Sequence, residues 1–116
     1  GTVRLSTPAG GKNTIDVTAM SGCTSFAIGT IDLGRTNLTS SSSTVATWAS
    51  STIAWSNTAK TITITLGGTP TVTNGSLVRL SSGNTAAATY TPSAAMWALS
   101  GADVTGTFTS SAIVPF

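Results

Sequence analysis

The 116-residue chain contains no histidine and no glutamate. Their absence removes the usual general base, the commonest zinc ligand and one of the two acids of a glycosidase pair. Neither a Ser-His-Asp nor a Cys-His triad can be assembled. A Ser-Lys dyad has only Lys12 and Lys60 to draw on, and neither sits in a nucleophile motif. No glycine-rich turn leads into a helix of the kind that cradles phosphate. The expectation is a non-catalytic protein that needs no metal and no cofactor.

Charge is equally scarce. Charged residues make up 7% of the chain, against roughly 25% in an ordinary soluble protein. Five cations (Arg4, Lys12, Arg35, Lys60, Arg79) oppose three acids (Asp16, Asp32, Asp103), and no two cations are adjacent. A nucleic-acid partner needs a basic stripe, so none is expected. No apolar run approaches the roughly 18 to 20 residues of a membrane-spanning helix. Residues 1–20 lack the charged start and apolar block of a secretory leader. Cys23 is the single cysteine, so no intrachain disulfide can form, and a small buried hydrophobe is its expected role.

What fills the chain instead is serine and threonine, about a third of it. Hydroxyls keep a surface wet without charge, and the branched Cβ of threonine suits a pleated strand. A surface so poor in charge fits an extracellular or cell-surface setting better than a crowded cytosol.

The periodicity is that of strands. Ile15, Val17 and Ala19 alternate with Asp16, Thr18 and Met20, and Ile62, Ile64 and Leu66 alternate with Thr61, Thr63 and Thr65. Similar short runs lie at 3–5, 26–33, 45–48, 52–55, 71–73, 77–80, 85–91 and 104–109, separated by turn signals such as Asn74-Gly75. Residues 36–44, with four consecutive serines, read as an exposed loop. Pro92, Ser93 and Gly101 frame a short helical turn near residues 93–99. The expected fold is therefore all-β: a single antiparallel sandwich over 1–116, with about 7–9 strands and that one helical turn. Residues 1–12 are either an N-terminal arm or an edge strand.

Two segments carry a family resemblance. The run Trp55-Ser56-Asn57-Thr58-Ala59-Lys60-Thr61-Ile62-Thr63-Ile64-Thr65-Leu66-Gly67 resembles a strand-turn-strand piece of bacterial immunoglobulin-like modules. Tyr90-Thr91-Pro92-Ser93-Ala94-Ala95, followed by Leu99-Ser100-Gly101-Ala102-Asp103-Val104-Thr105-Gly106-Thr107-Phe108, is similar to the ending of such modules in surface-layer and large surface-anchored proteins. The resemblance covers about residues 53–109 and implies an Ig-like sandwich with a spacer or structural role. Those modules usually carry Asn after the glycine, where this chain has Ala102. Their acid-rich calcium sites have no counterpart among three scattered aspartates.

Two functions from different classes follow. The first is a structural subunit of an extracellular assembly, such as a filament, a surface layer or an adhesin stalk. It would associate with itself or with other surface proteins. Val3, Arg4 and Leu5, ahead of the Pro8 to Gly11 break, could serve as an arm lent to a neighbouring sheet. The second is a carbohydrate-binding module in which Trp48, Trp55 and Trp97 stack on polysaccharide. The simpler role for each tryptophan is core packing, and strand parity marks Trp48 as the one turned outward.

Overall fold

The computed structural model describes residues 1–8, 11–22, 27–59, 61–81, 83–96 and 100–113. Among them lie nine strands, all paired antiparallel: β1 (Thr2–Ser6), β2 (Thr14–Ala19), β3 (Gly29–Asp32), β4 (Val45–Trp48), β5 (Thr52–Ser56), β6 (Thr61–Thr65), β7 (Thr71–Thr73), β8 (Ala86–Pro92) and β9 (Phe108–Ile113). Seven form one sheet in the order β7-β4-β1-β2-β3-β8-β9, and β5-β6 is a separate hairpin laid over it. An Ig-type sandwich divides its strands about evenly, whereas here the division is seven to two.

Cross-strand register sorts the large sheet into two unlike faces. Val3 is opposite both Val17 and Trp48, Leu5 is opposite Ile15 and Ala46, and Ile15 continues to Ile31, Tyr90 and Phe108. These positions make one inner apolar face. The alternate positions run Thr71, Thr47, Arg4, Asp16, Thr30, Thr91 across six strands, giving a hydroxyl-rich outer face. At its centre Arg4 and Asp16 form an ion pair at 2.7 Å. Val3 and Leu5 are 0% exposed, because β1 has a neighbour along each edge, β4 on one side and β2 on the other.

Two apolar clusters fill the space beneath the inner face. Leu5, Leu33, Leu38, Ala46 and Trp48 form one, and Val3, Val17 and Ile28 form the other, against which Ile53, Ile64 and Leu66 of the hairpin pack. The serine-rich loop contributes to the first. Leu38, Thr39 and Thr44 are buried, and Asn13, itself fully buried, ties down the first two. Its side-chain amide donates to Thr7 Oγ1 and Thr39 Oγ1, and its carbonyl oxygen accepts the Leu38 N–H at 2.9 Å. Every polar group of that side chain is thereby satisfied, which is the condition for burying it at all.

The helical turn expected near 93–99 is not found: the described residues contain no helix, and 97–99 lie outside them. Pro92 ends β8, Ser93 Oγ accepts the Ala95 N–H, and the Met96 N–H bonds back to Ser93 O at 3.0 Å, closing one tight turn. The Met96 carbonyl then accepts the Val104 N–H at 3.1 Å rather than an amide one helical turn ahead. The capping signature was real, but its serine serves a β-turn, a use the same side chain makes equally well. The last strand also starts later than the alternation at Val104 implied, and the 77–80 run forms only a bridge from Leu77 to Thr39.

Candidate functional site

The seven-stranded sheet is wider than the two-stranded hairpin that covers it. Over β7, β4 and β1 the deficit is filled by Leu33, Leu38 and Leu80 from loops. Over β3, β8 and β9 no described residue fills it, and a cleft of about 580 Å³ opens between the layers. Its floor is Ile15, Ile28, Ile31, Tyr90 and Phe108, and its overhanging wall is Trp55, Ile62 and Ile64. Met96 and Val104 close one side. Among the described residues lining it only Asp16 is a charged type, and its carboxylate is paired with Arg4 on the outer face of the sheet.

The hairpin is fixed at its base, and its apolar face becomes exposed toward its tip. Ser51, buried, donates its hydroxyl to Trp48 O at 3.0 Å and accepts the Gly67 N–H, and its own amide bonds Gly1 O. These contacts clamp the corner where the chain passes from β4 to β5. Ile53 opposite Ile64 is half-buried. Two residue pairs toward the tip, Trp55 opposite Ile62 leaves the body of the molecule, at 59% and 40% exposure. Phe108, across the cleft on β9, is 69% exposed.

Tyr90 sits on the floor. Its hydroxyl donates to the Ile28 carbonyl and lies 3.3 Å from Met96 Sδ. Burial pushes its phenol above the usual range, because the ionised form would lose solvation. Gly29, beside it, has φ near +114° and so close an approach to β8 that a Cβ would overlap the Thr91 carbonyl oxygen. Only glycine lets β3 and β8 meet there.

The tryptophans do not share a surface. Trp48, marked by parity as the outward one, is 5% exposed in the core. A turn at Ala49-Ser50 carries the chain from one sheet to the other, so parity does not run through it. Trp55 is the exposed one. Trp97, like Cys23, lies outside the described residues. The alternating Ile62, Ile64, Leu66 face is only partly buried, with Ile62 exposed at its outer end. Val3, Arg4 and Leu5 are in a strand paired on both edges within the same chain.

Phe108 and Tyr90 were not singled out as cleft residues from sequence. The available signal was that each is an aromatic residue between two threonines, Thr89 and Thr91 for Tyr90 and Thr107 and Thr109 for Phe108. No group of three or more His, Cys, Asp or Glu that could hold a metal occurs among the described residues. No described helix is long and apolar enough to cross a membrane. No family model, no curated protein and no solved structure matches this chain.

Proposed function

We propose that this chain is a non-catalytic structural module of an extracellular assembly, and that a second copy docks against the mouth of the apolar cleft. The observation that carries this reading is the exposure of Trp55, Ile62 and Phe108 around one opening. Together they leave roughly 300 Å² of apolar surface in water. A standard interface takes about 800 Å² from each partner, so these three side chains supply a large part of one side. A patch of roughly 300 Å² is about the size of the largest apolar patch on a typical monomer, and such patches are often functional surfaces.

Two further features support the same reading. The outer edges of β6 and β9 have no strand partner among the described residues, and such edges accept a strand from a neighbour. The low charge of the chain offers little repulsion between copies. The joint in this reading is the cleft rather than residues 1–8. Lending out β1 would break both of its ladders and expose Val3 and Leu5.

Negative-stain microscopy of concentrated protein tests this directly. Discrete oligomers or filaments are expected, and a field of uniform monomers at millimolar concentration would contradict it. The exposure of Trp55 also favours a second reading, in which the cleft mouth binds polysaccharide by stacking. In that case the tryptophan emission of monomeric protein responds to added polysaccharide; in the assembly reading it responds to protein concentration.

A further inference from the structure

At the end of the large sheet where β2 and β8 begin and β3 ends, Lys12 and Arg35 flank a shallow concavity of about 430 Å³, bordered by Gly34, Thr36, Asn37 and Thr85. One backbone bond brings the two cations together: the N–H of Asn13, next to Lys12, donates to the carbonyl oxygen of Arg35. We infer that this concavity binds an anionic group, a carboxylate or sulfate, carried by an acidic polysaccharide.

The guanidinium is held in place by neutral acceptors alone. Arg35 Nε donates to Asn37 Oδ1 at 2.9 Å, Nη1 to Thr85 O at 3.2 Å, and Nη2 to Asn84 Oδ1 at 3.1 Å. Asn84 is itself fixed, its amide donating to Ser81 Oγ at 2.7 Å. Three of the five guanidinium N–H groups are spent on this scaffold, and two remain for a ligand. Among the described residues no carboxylate neutralises either cation, and the ion pair found there joins Arg4 to Asp16. The nearby Asp32 carboxylate is turned onto the Gly34 N–H at 2.7 Å.

In a chain with eight charged residues, two unpaired cations at one concavity are a concentrated local feature. A fixed fork binds a planar or tetrahedral oxyanion with little ordering cost, and the exposed Lys12 adds a mobile point charge. The hydroxyls of Thr36 and Thr85 and the amide of Asn37 suit the hydroxyl groups of a sugar ring, and the volume holds a small ligand. A free inorganic anion would use the charges but not these flanking groups.

The test is an NMR titration of the intact protein with sodium sulfate and, separately, with a sulfated oligosaccharide, at ionic strength held constant with chloride. Saturable shifts are expected at Gly34, Asn37, Thr85 and the Arg35 Nε–H, with the oligosaccharide binding about tenfold more tightly than sulfate. Lys12→Gln leaves the scaffold bonds intact and is expected to weaken binding about threefold. Arg35→Lys keeps the charge but loses the fork and is expected to weaken it about tenfold. Shifts no larger than those with chloride, or spread equally to Arg4 and Arg79, would overturn the site. Equal affinity for sulfate and oligosaccharide would overturn the polysaccharide assignment.

Discussion

Trp55 lies directly opposite Ile62 across the β5-β6 hairpin, and both project beyond the sheet that should cover them. Two residue pairs nearer the base, Ile53 and Ile64 pack on the core. The hairpin therefore changes from structural to displayed between two successive pairs on the same face. That gradient should be visible in stability. Leu5→Ala is expected to cost about 2–5 kcal/mol by leaving a cavity in a fully buried site. Ile62→Ala should cost under about 1 kcal/mol, because little of its side chain is packed. Urea unfolding of the two variants measures both; equal losses would mean the cleft is closed in solution.

The all-β class and most strand positions were legible because alternation reports a half-buried strand directly, as at Ile15 and Val17. What alternation cannot report is which sheet a strand joins. Trp48 and Trp55 exchanged their expected roles because a turn at Ala49-Ser50 sends β5 to the other layer. The row from Thr71 to Thr91 was invisible for the same reason, since it runs across strands distant in sequence. Leu38 hid in a stretch of hydroxyl residues, and its burial depends on Asn13, 25 residues away. The Ser93 signal was read as a helix cap because turn and cap use the same hydroxyl-to-amide bond.

Asn13 should be among the most sensitive polar positions. Asn13→Ala removes partners from Thr7, Thr39 and the Leu38 N–H together. A loss of about 2–4 kcal/mol is expected, from stranded polar groups and the small cavity. Hydrogen exchange offers a second readout: the Leu38 amide should lose protection first. Unchanged protection would show that water replaces the side chain without penalty.

Gly29→Ala should destabilise by about 3 kcal/mol, combining a left-handed φ with the overlap on Thr91. Gly68→Ala serves as the control. It also has positive φ, but open space surrounds it, so only about 1 kcal/mol is expected. Thermal melts of the pair separate backbone conformation from close approach.

Tyr90 is the only tyrosine, so its titration can be followed by absorbance without ambiguity. Its folded-state pKa is raised above the ordinary value of 10.0 by burial. The native state therefore holds the phenolic proton more tightly than the unfolded chain does. Its contribution to stability is full below pH 10 and is lost as pH rises through the folded value. Ionisation also removes the hydrogen bond to the Ile28 carbonyl. Tyr90→Phe should flatten the stability profile above pH 10; an unchanged profile would assign the alkaline loss to other groups.

The central claim, that the cleft mouth is an assembly surface, is tested most directly by sedimentation equilibrium of the intact protein beside a Trp55→Ser, Phe108→Ser double variant. Both positions are largely exposed, so the variant should keep the parent's circular dichroism and melting behaviour. The account predicts that the intact protein self-associates reversibly in the micromolar to millimolar range while the variant stays monomeric. Association of equal strength in both proteins, or a monomeric intact protein throughout that range, would contradict it.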